Sequence, residues 1–201
     1  MIKFRQELIE DRTIEIDICD CFTAATLAKK LFFNKYYFKT TFLNKKFGES
    51  ERVYIHELDR KTDLDIRSGY LGGRCDIYGY GTFRKVYYYD FTSLYPYVGS
   101  KFMMPIGKPE RVEGQDINLN KFFGFIRCRV TSNPKVLTLH GFKNDGKLTF
   151  ANHIGTEMMI FSEEVKKGIE LGYKYEFLYG WRFEKAPVLM DIMKDGFKRK
   201  E

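Results

Sequence analysis

Asp90 is the acid around which the chemistry of this sequence gathers. It lies in Val86-Tyr87-Tyr88-Tyr89-Asp90-Phe91-Thr92-Ser93-Leu94-Tyr95-Pro96, where a Val- and Tyr-rich stretch ends in one carboxylate, a polar pair and an aromatic. A carboxylate held at an edge in this way can bridge two Mg²⁺ ions, which stabilise the attacking 3′-oxygen and the leaving pyrophosphate of nucleotidyl transfer. Backbone N–H groups in the turn that follows can hold a triphosphate. An aromatic five residues after the acid can lie under a sugar and crowd its 2′-hydroxyl. Asp-x-x-Ser alone reads as a surface acid beside a tyrosine-rich core strand; the longer run through Pro96 carries the information.

Upstream, Tyr70-Leu71-Gly72-Gly73-Arg74 is a second candidate. Its paired glycines permit close backbone approach to a phosphate, and Tyr70 and Arg74 can stack or pair with nucleic acid. Standing alone, a Gly-Gly turn is only a turn.

Positioning these residues requires ordered elements, and the pattern supplies them. Lys85 to Phe91 is predicted as a strand delivering Asp90 to an edge, with Thr92-Ser93 starting a helical turn. Thr23 to Tyr36 is predicted as an amphipathic helix capped by Thr23, with Leu27, Ala28, Leu31 and Phe32 on its apolar face. Glu57 to Ile66 has helical character and runs into the glycine-rich Gly69 to Gly73. Short strands are predicted at Phe122 to Val130, Lys135 to Leu139, Lys147 to Ala151 and Met158 to Phe161, forming an antiparallel sheet. Ser162 to Leu171 reads as a helix with Ser162 as N-cap, acids in its first turn and Gly172 past its end. Tyr173 to Phe183 returns as strand, and Ala186 to Lys200 closes as helix.

Composition narrows the function classes. The chain has 201 residues, 44% of them hydrophobic, enough for a core, and a net charge of +7 with 17% aromatic residues, which leans toward a polyanionic partner. No apolar run approaches the roughly 20 residues of a membrane span. Met1 to Arg12 resembles no secretory signal, and Glu7, Glu10 and Asp11 are unlike an organelle presequence. On a strand Cys19 and Cys21 would share a face as two buried small side chains, and with Cys75 and Cys128 they show no zinc spacing, so a reducing compartment is expected. His56, His140 and His153 are scattered, in surface or hydrogen-bonded roles. Trp181 is expected to pack in the core, and Asp191 and Asp195 to flank a buried helix face.

The run Asp-x-x-Ser-Leu-Tyr-Pro from Asp90 to Pro96 resembles the first palm motif of family B DNA polymerases. Tyr70 to Gly73 resembles the Tyr-x-Gly-Gly loop of the protein-primed branch of that family, found in bacteriophages and linear plasmids, mitochondrial ones included. Phe122 to Ile126 and Phe161 to Tyr173 resemble the strand and helix that follow. The resemblance implies an α+β palm fragment, an antiparallel sheet with packed helices and a terminal-protein-region-like insertion. It divides the chain into 1–69 leading into the palm, 70–120 with the glycine loop and palm motif, and 121–201 as palm continuation and insertion.

It further implies Asp90 as catalytic acid, Asp90 and Phe91 as metal ligands for Mg²⁺, and Phe91, Ser93, Leu94 and Tyr95 as nucleotide-binding residues, with Tyr95 selecting deoxynucleotides. Tyr70, Gly72, Gly73 and Arg74 become DNA-binding. The implied partners are template-primer DNA, deoxynucleoside triphosphates and a terminal priming protein. Neither the Asp-Thr-Asp turn carrying the second palm carboxylate nor the Asn-Ser-x-Tyr-Gly segment of the fingers occurs in these residues. The expectation is therefore a central fragment of a DNA polymerase, inactive alone, in a mitochondrion, or in host cytoplasm if from a phage or virus. The alternatives are a nonenzymatic nucleic-acid-binding module and a nonfunctional remnant.

Overall fold

A computed structural model describes residues 21–33, 56–77 and 79–198. In chain order the elements are α1 (Ala24–Leu31), α2 (Arg60–Arg67), α3 (Leu94–Lys101), β1 (Met104–Glu113), β2 (Gly124–Thr131), β3 (Phe142–Asn144), β4 (Lys147–Thr149), β5 (Thr156–Phe161), α4 (Ser162–Glu170), β6 (Lys174–Ala186) and α5 (Met190–Lys198). The described residues fall into two compact units. One holds 56–77, 79–90 and 105–184, and the other 21–33, 91–104 and 185–198.

The first unit is built on a four-stranded sheet ordered β1-β6-β2-β5, in which β2 runs antiparallel to both β5 and β6. Period-two alternation decides its faces: Ile126, Cys128 and Val130 of β2 are fully buried. They form the core with Phe122, Ile160, Val165 and Tyr173, and each apolar side chain so buried contributes roughly 1.5–3 kcal/mol. Val165 is the residue by which α4 enters that core. The antiparallel sheet with packed helices is thus the α+β arrangement expected.

Helix punctuation follows elementary physics. Asp59 caps α2, its carboxylate accepting from the amides of Lys61 and Thr62 at 3.0 Å, and Thr23 caps α1 through Thr26 N–H. Gly172, just past α4, has φ of +80°. Ser162 is the first residue of α4 and not its cap, which is Phe161; the buried Ser162 hydroxyl accepts instead from Gly124 N–H at 3.2 Å, tying helix to sheet.

Several elements differ from the pattern reading. Lys135 to Leu139 is not a strand: Lys135 N–H bonds to the Asn133 side chain, Val136 N–H to the Asn133 carbonyl, and Leu139 N–H to the Tyr173 hydroxyl. With those three donors taken by Asn133 and the distant Tyr173 hydroxyl, they are not free for a ladder. β1 was hidden by Pro105 and Pro109, tolerable because β1 is an edge strand. β3 and β4 form a hairpin through Asp145 and Gly146, both at positive φ (48° and 77°), the two-residue turn whose twist suits antiparallel strands. β6 runs on to Ala186, so α5 starts only at Met190. Cys19 and residues 34–36 of the first predicted helix lie outside the described residues.

In the second unit, α3 and α5 pack together. A Cβ at buried Gly99 would lie 3.0 Å from Met193 Cγ and 3.5 Å from Leu189 Cβ, so the missing side chain permits the approach. Ala186, the last residue of β6, and Val188, in the connection to α5, are buried.

Candidate functional site

Asp90 ends the first unit on a stretch, residues 81–90, in which every side chain is exposed. No strand forms from Lys85 to Phe91, contrary to the pattern reading. Val and Tyr favour a pleated surface only when a neighbouring strand supplies the ladder, and these residues pair with none among those described. Order comes instead from side chains: Tyr87 and Tyr89 stack at 6.4 Å and 16°, and the Lys85 ammonium lies 4.7 Å from the Tyr87 ring. The Asp90 carboxylate is one hard oxygen donor, which suits Mg²⁺ as one ligand of a larger set. Among the described residues no group of three His, Cys, Asp or Glu side chains gathers to hold a metal ion.

Phe91 opens the second unit, 79% exposed, and Tyr95 on the first turn of α3 is 84% exposed. Between them Ser93 occupies the left-handed region at φ 53° and ψ 46° and stands at the N-cap of α3. Holding a serine there costs roughly 1–2 kcal/mol. The only other described non-glycine residue at positive φ is Asp145, which its hairpin turn explains. The predicted helical turn after Asp90 is therefore present, entered through a strained residue of the kind that clusters at functional sites.

The Tyr70 to Arg74 loop follows α2 within the first unit. At its start, a Cβ on Gly69 would stand 2.5 Å from the Met159 carbonyl oxygen, so the backbone packs directly on β5. At its end, Arg74 donates to Asp76 at 2.6 Å and to the Thr138 carbonyl, and its guanidinium lies 4.9 Å from the Phe150 ring. Arg74 is thus engaged within the protein as an anchor of the loop. Between the anchors Tyr70 is 81% exposed. Gly73 has nothing within 4 Å of where a Cβ would be, and Gly72 only Leu148 Cδ2 at 3.7 Å; neither has a left-handed φ. Nothing among the described residues requires glycine at these two positions.

Asp65 was missed by the sequence reading. Its carboxylate accepts from Trp181 Nε1 at 2.7 Å, from the Tyr179 hydroxyl at 3.0 Å and from Arg127 at 2.5 Å. Burial acts to raise its pKa, but the Trp181, Arg127 and Tyr179 hydrogen bonds and the Arg127 charge outweigh it and hold it below the usual carboxylate value. Trp181 is correspondingly a half-buried donor and not a plain core residue. An acid between Leu64 and Ile66 on a helix was a cue, but its partners lie 62 to 116 residues away.

The buried histidines belong to the core. His140 Nε2 pairs with the Tyr175 hydroxyl at 2.7 Å, and His153 Nε2 with the His140 carbonyl at 2.9 Å. Burial, aided by His153, pushes His140 down to about 4, while burial pushes the Cys128 thiol up to about 12. Cys128 is therefore inert as a nucleophile.

Residues 1–201 match the family described as DNA polymerase type B, organellar and viral. A probable DNA polymerase of Podospora anserina is 34% identical over 140 residues, 69% of this chain and 11% of that protein. One of Agaricus bitorquis is 35% identical over 128 residues, 60% of this chain and 16% of that protein. The chain therefore spans only a small part of these relatives. Among solved structures, Phi29 DNA polymerase in an orthorhombic crystal form gives a TM-score of 0.61 at 20% identity, covering 98% of this chain and 34% of that one. Phi29 DNA polymerase complexed with primer-template DNA and incoming nucleotide substrates gives 0.58 at 20% identity, covering 96% and 33%. At such identity the likeness establishes the fold.

Proposed function

Since the chain belongs to the organellar and viral family of type B DNA polymerases, we propose that it is the central portion of a DNA-directed DNA polymerase that extends DNA by protein-primed nucleotidyl transfer. Asp90, through its carboxylate, and Phe91, through its backbone carbonyl, would help to hold Mg²⁺, and a cation bound there would supply positive charge for nucleotidyl transfer. Ser93 and Leu94 bring backbone to the triphosphate at the start of α3, where the helix dipole favours anions. The exposed Tyr95 ring lies beneath the incoming sugar and excludes a 2′-hydroxyl. Template-primer DNA lies along Tyr70, Gly72 and Gly73, whose backbone amides donate to phosphate while the ring stacks. Arg74 adds positive charge and fixes the loop's end. Part of Lys121 to Glu184 forms the region facing DNA and the terminal protein, and the genome served is a mitochondrial linear plasmid.

The observation that carries this reading is the pair Gly72-Gly73, held open between two anchored ends and required as glycine by neither backbone conformation nor packing. A phosphate backbone is the occupant that uses bare amide at close range. The test is a primer-extension series with the polymerase restored to the length of its relatives. Asp90→Asn abolishes nucleotide addition while DNA binding persists, and Tyr95→Val relaxes rejection of ribonucleotides. Near-normal extension by Asp90→Asn overturns the catalytic assignment. The 201-residue chain alone binds primer-template in a salt-dependent way and extends nothing; synthesis by it alone overturns the reading of a fragment.

A further inference from the structure

The glycine loop works as a binding surface only if its start is held in one place, and beside the packing of Gly69 on β5 the described residues show a polar device that does this. Asp65 sits in the last turn of α2, three residues before Ser68 and five before Tyr70. Its carboxylate accepts from three side chains on two strands: Arg127 of β2, and Tyr179, whose one hydroxyl proton is shared between both oxygens, and Trp181 of β6. Arg127 also donates to the Ser68 hydroxyl at 3.1 Å, and that hydroxyl donates to the Asp65 carbonyl at 2.6 Å. One guanidinium thereby holds both the carboxylate and the residue at which the helix ends. The Arg111 guanidinium of β1 lies over both donor rings, 4.2 Å from the Tyr179 centroid and 5.8 Å from that of Trp181. The next residue, Gly69, packs on the Met159 carbonyl with no room for a side chain.

We propose that Asp65 is a positioning residue for the Tyr70 to Arg74 loop, its carboxylate fixing the end of α2 against β2 and β6 so that the loop's bare backbone is held for a phosphate. The proposal rests on the reading of that loop as a DNA contact. A partly buried ion pair is an inefficient way to attach a helix to a sheet, since an apolar contact of equal volume does so at lower desolvation cost. What the carboxylate adds is direction: three donors from two strands define the helix's rotation as well as its distance. Arg127 and Tyr179 are not spare surface groups; the Arg127 and Asp65 side chains are 18% and 17% exposed, which shields the pair from screening.

The experiment compares the 201-residue chain with its Asp65→Asn variant, which replaces one acceptor oxygen by a donor facing donors. Hydrogen exchange is followed at the hydrogen-bonded amides of the loop's start, Ser68, Gly69 and Tyr70, and of β2, and anisotropy is read with a fluorescein-labelled primer-template duplex. The expected result is exchange about tenfold or more faster in the loop, with Ile126, Cys128 and Val130 unchanged, and DNA affinity about tenfold weaker. Unchanged loop exchange overturns the proposal, as does acceleration by the same factor in loop and β2, which marks a general loss of stability. A faster loop with unchanged DNA affinity leaves the positioning role standing and removes the DNA assignment. If Asp65→Asn unfolds the chain, Trp181→Phe takes its place: it deletes one donor and keeps an aromatic ring there. Trp181→Phe is expected to accelerate the loop selectively, and an unaltered loop in that variant overturns the proposal.

Discussion

Gly73→Ala separates what the loop does for the fold from what it does for a ligand. At Gly73 the backbone is outside the left-handed region and an added Cβ meets nothing within 4 Å. Alanine is accommodated there without strain, and the unfolded chain loses conformational freedom, so the variant is expected to be more stable by about 0.4–1 kcal/mol. Gly114→Ala is the contrasting control. Its Cβ would fall 2.0 Å from the Phe177 carbonyl oxygen and 2.9 Å from that of Leu178, on backbone that cannot turn aside, so it is expected to lose at least roughly 3 kcal/mol. Binding runs the other way. If a phosphate oxygen accepts from the loop's amides, a methyl group on Gly73 displaces it, and a hydrogen bond to a charged group is worth about 1.5–3 kcal/mol. Affinity for primer-template should therefore fall roughly ten- to hundredfold in the more stable protein. Urea unfolding gives the stability, and anisotropy titration at one fixed salt concentration gives the affinity. Unaltered DNA affinity in Gly73→Ala refutes the loop as a phosphate contact; a stability loss above 1 kcal/mol refutes the open geometry itself.

Ser93→Gly relieves a left-handed φ that serine tolerates poorly, and a thermal melt should show a gain of about 0.5–1 kcal/mol; a loss would show that the turn before α3 is not held at that conformation. Ile126→Ala removes a fully buried side chain from β2 and should lower stability by about 2–5 kcal/mol in urea unfolding. For pH, His140 is held near 4 in the fold against an ordinary 6.5, so between those values the unfolded chain takes up a proton that the folded chain refuses. Stability is fully present above pH 6.5 and declines by about 3 kcal/mol as pH falls toward 4, and a flat urea midpoint from pH 7 to 4.5 would contradict this. Asp65, with its pKa lowered, adds stability that is lost only as pH falls below about 3.8, a separate and more acidic window.

Legibility in the sequence followed the range of the forces involved. Helix caps and turns are local, so Thr23 and Gly172 announced themselves, and β2 was readable because Ile126, Cys128 and Val130 alternate with polar partners. Lys85 to Phe91 misled because β propensity describes a surface awaiting neighbours, and none of the described residues pairs with it. Lys135 to Leu139 misled because Asn133 and the distant Tyr173 hydroxyl took its backbone donors. Asp90 and the glycine pair were legible as chemistry, since residue type and order carry that information directly. Asp65 was not: its importance lies in Arg127, Tyr179 and Trp181, which the chain brings together only through sheet register.

Stability and chemistry draw on different residues in this chain. The first unit's fully buried side chains lie on β2, α4 and the loop holding His153, whereas Asp90, Phe91, Tyr95, Tyr70 and Gly73 are all exposed. Substitution at an exposed position away from caps, strain and networks changes stability by about 0.5 kcal/mol or less, so Asp90→Asn or Tyr70→Ala leaves the sheet intact and reports on binding or catalysis alone. The converse holds for Asp65, whose bonds join the two sets: it is the residue through which a defect in the sheet reaches the loop. A change at Arg127 or Trp181, whose side chains hold the Asp65 carboxylate, should therefore weaken DNA binding through Ser68 and Gly69, and a change of equal size at Val130 should not.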